Sequence, residues 1–111
     1  MTGPERRRSA ELAALLAAGE ILWWAREPWS LRLGRACHYV PDFVVLEVDQ
    51  TLTCEEVKGT RGWGLDAKGR VKVKTAAEAF PFFRFRALLQ QPRKAGGGWE
   101  IEDVLPFGER A

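Results

Sequence analysis

The sequence predicts an α/β fold, a small mixed β-sheet flanked by helices in the order αβββαββ, with one further short strand early in the chain. Three observations predict it. A Leu-rich helical stripe opens the chain, strand-like apolar runs follow as far as residue 59, and a second helical stripe precedes two more strands. With 111 residues, the chain has the size of one compact domain, 1–111.

The first helix is announced by Thr2 and Pro4 at its start and Gly19 just past its end, with Leu12, Leu15 and Leu16 as its apolar stripe. At about 100° per residue, Glu5 falls about 20° from Leu12 and from Leu16, whereas Glu11 is rotated about 120° away from Glu5. Glu5 therefore points toward the packing side, as a dipole-stabilised surface group or as part of a site. Residues 21–25 and 29–33 read as short strands separated by Pro28.

Residues 39–48 form the most strand-like run, and Phe43-Val44-Val45-Leu46 fits an interior strand covered on both faces. Pro41 cannot donate a ladder hydrogen bond, so it belongs at the strand's start, an edge or a bulge. Asp42 then sits where the strand leaves regular geometry. Residues 51–59 are the partner strand, reached through a turn at Asp49-Gln50.

The glycine-rich, basic stretch 59–69 is expected to be a mobile loop. A second helix is expected over 70–80, with Val73, Ala76, Ala77 and Phe80 as its stripe and Pro81 as its stop. Lys72 and Lys74 fall on the flanks of that stripe, where their stems pack and their charges extend. Strands at 82–89 and 99–104, joined through Gly96-Gly97-Gly98, complete the chain.

The apolar share of 46% is that of a folded globular protein rather than a disordered one. The longest mainly apolar stretch, 12–25, is broken by Gly19 and Glu20 and is too short to span a bilayer, so no membrane association is expected. Arg6, Arg7 and Arg8 before an Ala/Leu run have the look of a secretion signal, but Glu5 and Glu11 interrupt it and no cleavage site follows. Two cysteines, Cys37 and Cys54, fit reduced thiols in a cytoplasmic protein.

A net charge of +2 does not by itself imply nucleic-acid binding. Its distribution carries more. Between residues 58 and 74 stand Lys58, Arg61, Lys68, Arg70, Lys72 and Lys74, against Asp66 alone. This is either a solvated basic surface or a phosphate-binding one.

The chemistry is carried by Asp42 and, fourteen residues on, Glu56-Val57-Lys58. Alternation along a strand turns Glu56 and Lys58 to one side. Two carboxylates and a strand carbonyl, that of Val57, are hard oxygen ligands suited to Mg²⁺ or Mn²⁺. Lys58 beside them is placed to orient a water or to stabilise charge on a phosphate. The bland alternative is an ordinary surface Glu–Lys pair on a solvated strand face.

These residues give the chain a resemblance to the PD-(D/E)XK nuclease superfamily, closest to a small phage-borne family described as a domain of unknown function. In that family a helical Glu precedes a Leu-rich helix ending in Gly-Glu-Ile, matched here by Glu5 and Gly19-Glu20-Ile21. Its Pro-Asp-Phe strand is matched by Pro41-Asp42-Phe43, and its Glu-Asp-Val-Lys-Gly by Glu55-Glu56-Val57-Lys58-Gly59. The basic helix that follows is matched by Lys72-Val73-Lys74 and the Ala-rich run to Phe80-Pro81. Near Glu27 the family often carries Gln.

The resemblance covers about residues 5–88. It implies a restriction-endonuclease-like core and a Mg²⁺-dependent endonuclease acting on DNA, with Mn²⁺ as substitute. It implies Glu5, Asp42 and Glu56 as ligands or water-holders and Lys58 as catalytic lysine. Lys74 becomes a further phosphate contact beside Arg61, Lys68, Arg70 and Lys72. A phage or prophage protein working in the bacterial cytoplasm follows from the same analogy, and a homodimer is expected because one active site cuts one strand. The alternative is a nuclease-like DNA-binding module or phage accessory protein without turnover.

Other constellations are weaker. His38 is the sole histidine and has no nucleophile motif near it. Cys37, His38 and Cys54 lack zinc-finger spacing. The stretch from Gly59 to Gly64 lacks the Gly-Lys-Ser/Thr ending of a phosphate loop. Of five tryptophans, Trp23, Trp24, Trp29 and Trp99 are ascribed mainly to packing. Trp63 is either a loop anchor or a platform for an unpaired base.

Overall fold

Thr2 begins the first element as anticipated. In the computed structural model, which describes residues 1–64 and 66–106, helix α1 runs over Gly3–Ala17. The Thr2 hydroxyl accepts the Glu5 N–H at 3.3 Å and the Glu5 carboxylate accepts the Thr2 N–H at 3.0 Å, a reciprocal capping box. Gly19, at φ 73°, lets the chain turn out of the helix. The buried face is narrower than the leucine pattern implies: Arg8 and Leu12 are buried, Leu15 packs in part, and Leu16 is turned to solvent.

The expected run of strand over 39–48 is instead two strands in two different sheets. Strand β1 (Ile21–Arg26) is followed by a separate hairpin, β2 (Leu31–Gly34) and β3 (Cys37–Tyr39), in which Tyr39 lies opposite Leu31. The chain bends at Pro41-Asp42 before β4 (Phe43–Glu47) enters the main sheet. Pro41 lacks the N–H that would continue the ladder, so the apolar run is cut there.

β5 (Leu52–Lys58) returns antiparallel to β4 through a turn in which Asp49 accepts the Thr51 N–H and Gln50 adopts φ 68°. Helix α2 covers Ala67–Ala79 and begins earlier than its apolar stripe indicates, because Asp66 caps it by accepting the Gly69 N–H at 3.0 Å. β6 (Arg84–Gln90) starts two residues later than expected, leaving Phe82 exposed in the preceding turn. A short 3₁₀ turn (Arg93–Ala95) and Gly96, Gly97 and Gly98, all at positive φ, lead to β7 (Trp99–Asp103).

The main sheet has the order β1-β4-β5-β6-β7 and is mixed: β5 and β6 run parallel, connected through α2, and the remaining neighbours are antiparallel. The fold is α/β as expected, but five strands rather than the anticipated four precede α2, because the β2–β3 hairpin forms a small sheet of its own. Alternation along β4 and β5 divides the interior. Phe43, Val45 and Val57 pack with Leu12 of α1 and Ile21, whereas Val44 and Cys54 pack with Val73, Ala76 and Ala77 of α2, Phe85 and the hairpin's Leu31 and Tyr39.

Among the described residues one charged side chain lies entirely inside. Glu55, 0% exposed, faces α1, where Arg8 grips it with Nε at 2.8 Å and Nη2 at 2.7 Å; Arg86 of β6 adds contacts at 3.0 and 2.7 Å. Arg8 also reaches Glu11, whose carboxylate accepts the Trp99 indole N–H at 2.7 Å. Helix α1, β5, β6 and β7 are thereby tied by one charged network. Among the described residues no helix is long and apolar enough to cross a membrane.

Candidate active site

Asp42 leaves the sheet at the Pro41 bend, and there its carboxylate turns toward the end of β5. Its Oδ2 accepts the Val57 N–H at 2.8 Å. The pairing of β4 with β5 ends at Phe43 opposite Glu55, so beyond it the edge of Val57 faces Asp42 rather than a partner strand. On a strand, the N–H and C=O of one residue point to the same edge, so the Val57 carbonyl is turned the same way as the N–H that Asp42 accepts.

Glu56 and Lys58 share the α2 side of β5, with Nζ 3.4 Å from Oε2. The other Glu56 oxygen accepts the buried Tyr39 hydroxyl at 2.9 Å. Lys58 is held more closely by Asp66, at 2.6 Å, and its ammonium lies 5.1 Å from the centre of the Trp63 ring. Tyr39 and Asp66 are contacts that sequence reasoning missed. Tyr39 read as the first residue of a strand, and Asp66 as the lone acid of a basic stretch; neither carries a local signal of its partner.

Glu5 and Glu27 approach from the other side. Single carboxylate oxygens of Glu5, Glu27 and Asp42 all lie within 4.8 Å of one another. Glu27 follows β1 in a left-handed conformation, φ 46°, with its N–H bonded to the Asp42 carbonyl at 3.0 Å. That bond joins the bend before β4 to the end of β1 and carries Glu27 to the cluster. Asp42 is the common member: it meets Glu5 and Glu27 on one side, and is near enough to Glu56 on the other to feel its charge.

The electrostatics follow. Burial, then the charge of Glu56 and, more weakly, that of Glu5, pushes the Asp42 carboxyl up to about 7, against the opposing pull of the Val57 N–H and Lys58. Burial also raises Glu56, although Lys58 and the Tyr39 hydroxyl counter it. Tyr39 is held well above its ordinary value by burial and by the neighbouring Glu56. Burial works against the Lys58 ammonium, but Asp66 and Glu56 outweigh it and raise its pKa. For Glu5, partial burial is outweighed by the Thr2 hydrogen bonds and the charges of Arg26 and the N-terminus, and the carboxyl is lowered.

Of the other expected contacts, Arg61, Lys68, Arg70 and Lys72 are exposed on the loop and α2, and Lys74 is half-buried. Arg70 pairs with Glu102 at 3.2 Å and lies over the Trp63 ring. Trp63 is 9% exposed, with cations against its ring, which is the anchoring role rather than an open platform for a base. His38 is exposed on β3 opposite Arg32, while Cys37 and Cys54 lie in separate sheets. Trp23 is more exposed than its packing role implies, at 39%.

The carboxylates that converge are those of Glu5, Glu27 and Asp42, all oxygen donors, with Glu56 and the Val57 carbonyl on the adjoining end of β5. Such a set fits a hard divalent cation, and the Asp42 carboxyl is raised first by burial and then by the charge of Glu56. Comparison with family models, curated proteins and solved structures finds no match.

Proposed function

We propose that the chain is a metal-dependent endonuclease that hydrolyses DNA phosphodiester bonds, built on a restriction-endonuclease-like core. The observation that carries this reading is Asp42, hydrogen-bonded to the end of β5, raised by burial and by Glu56, with the Lys58 ammonium beside that second acid. Two desolvated acids next to a lysine are costly to fold unless something occupies them. The order αβββαββ of the helices and main-sheet strands, with a parallel β5–β6 pair bridged by α2, supports the core assignment.

In this reading Asp42, Glu56 and the Val57 carbonyl would hold Mg²⁺, or Mn²⁺ in its place, and Glu5 would serve as a further ligand or water-holder. When bound, the cation polarises the phosphate and lowers the pKa of a bound water. The chain's own residues do the rest. The Val57 N–H fixes the Asp42 carboxylate, and the Tyr39 hydroxyl fixes one Glu56 oxygen and leaves the other toward Lys58. Lys58 stabilises negative charge gathering on the phosphate oxygens. Arg61 and the α2 residues Lys68, Arg70, Lys72 and Lys74 receive flanking phosphates. One such centre cuts one strand, so cutting of both strands calls for a homodimer.

The test is incubation with supercoiled, linear and four-way-junction DNA in Mg²⁺, Mn²⁺ or EDTA. Cutting is expected in either metal and none in EDTA. Asp42→Ala, Glu56→Ala and Lys58→Ala are expected to abolish it, each with the fold retained by circular dichroism. Near-parent activity in two of these three variants refutes the assignment. DNA binding without cutting in either metal selects the non-catalytic binding module instead.

A further inference from the structure

Asp66 divides its carboxylate between two tasks. Oδ1 accepts the Gly69 N–H and caps α2, while Oδ2 holds the Lys58 ammonium at 2.6 Å, closer than Glu56 does at 3.4 Å. Lys58 has a long, flexible stem and stands on the last residue of β5, where the strand itself holds its ammonium only through the 3.4 Å contact with Glu56. The Trp63 ring faces it at 5.1 Å, and Arg70 lies over the same ring at 5.8 Å. Gly69 is part of the arrangement: a Cβ there would collide with the Asp66 carboxylate. Only glycine at 69 leaves that carboxylate its place.

We infer that Asp66 is a positioning residue that fixes the Lys58 ammonium and couples it to the start of α2. The inference rests on the nuclease reading for its kinetic consequence, though the contact stands without it. Because one carboxylate serves both tasks, the helix that offers Lys68 and Lys72 to a nucleic acid is linked, through its first turn, to the lysine at the reacting phosphate. Asp66 acts through Lys58 and touches no reacting atom.

Asparagine at 66 retains one oxygen for capping but brings no charge to the ammonium. Asp66→Asn is therefore expected to melt within a few degrees of the parent. Its kcat is expected to fall about 10- to 100-fold, the scale of a misplaced catalytic group, with KM within about twofold. Gly69→Ala, which touches neither Lys58 nor substrate, is expected to reproduce that loss. Asp66→Glu, which still reaches the ammonium but caps less well, is expected to recover most of the rate at reduced stability.

Parent-like kcat in Asp66→Asn overturns the inference. So does faster cutting, which makes the carboxylate a competitor of the phosphate for Lys58. An independent readout uses protein labelled with ¹⁵N-lysine, in which the Lys58 ammonium is assigned by its absence from Lys58→Arg. Its ¹H–¹⁵N signal, slowed in exchange by the ion pair, is expected in the parent and lost in Asp66→Asn and Gly69→Ala. Persistence of the signal in Asp66→Asn overturns the inference even if no DNA is cut. Failure of the parent to cut, with the signal behaving as expected, counts against the nuclease reading alone.

Discussion

Asp42 concentrates the chemistry of this chain, and its protonation makes a claim about stability. With its carboxyl raised to about 7, the folded chain holds a proton there that the unfolded chain has released above pH ~4. Bound protons in excess in the folded state mean that stability falls as pH rises, here between about 4 and 7, and the loss is complete above that window. Asp42→Asn retains an oxygen for the Val57 N–H without the charge. In EDTA it is expected to be more stable than the parent by about 1–4 kcal/mol at pH 8, with the difference vanishing near pH 4. Urea unfolding at the two pH values measures this, and an equal difference at both contradicts it. Added Mg²⁺ is expected to narrow the gap at pH 8 by stabilising the parent alone.

At the scale of elements, what was legible depended on whether the determining signal is local. The start of α1 could be read from Thr2 and Pro4, and β5 from the turn at Asp49-Gln50 that precedes it, because caps and turns are written in neighbouring residues. The inward-facing residues of α2, Val73, Ala76 and Ala77, were likewise legible and are buried. The run at 39–48 was misread because Tyr39 and Phe43 are equally strand-like; that they join different sheets is decided by pairing with Leu31 and Arg26, which periodicity does not encode. Asp42, Glu56 and Lys58 could be singled out as a group, whereas the clasp of Tyr39 and Asp66 upon them, and the approach of Glu27, depend on how distant elements dock.

The Arg8–Glu55–Arg86 network belongs to the same scale. It joins residues 47 and 31 apart in sequence, and removing Glu55 leaves the buried Arg8 with Glu11 at 3.3 Å and the half-buried Arg86 with Glu47 at 3.6 Å. Glu55→Ala is expected to cost about 3–5 kcal/mol of folding stability, read as a lowered urea midpoint. A change below about 1 kcal/mol shows instead that water or Glu47 takes over the arginines.

For the whole molecule, the disposition of charge matters more than its total. The net +2 conceals exposed cations on the loop and on α2, next to a centre dominated by carboxylates. Such a surface holds a polyanion mainly through displaced counterions. The double substitution Lys68→Glu with Lys72→Glu is expected to weaken DNA binding across unrelated sequences. It should also reduce the slope of log affinity against log salt by about 2, measured by fluorescence anisotropy. An unchanged slope removes this face of α2 from the interface. Size-exclusion chromatography with light scattering decides whether two copies associate at the concentrations at which cutting is measured.

The pair Glu55-Glu56 gives the arginine clamp one more meaning. Two identical acids stand side by side on β5, one sealed inside against α1 and the other at the centre beside Lys58. A slide of the strand by a single residue would turn every side chain to the opposite face and exchange the two acids. Hydrophobicity resists this weakly here, since both faces of the strand are covered and both carry apolar neighbours. The guanidinium groups of Arg8 and Arg86 accept only a carboxylate between them, so they act as the reading frame of the strand. By capturing the first of the twin acids, they decide that the second is the one that stands beside Lys58.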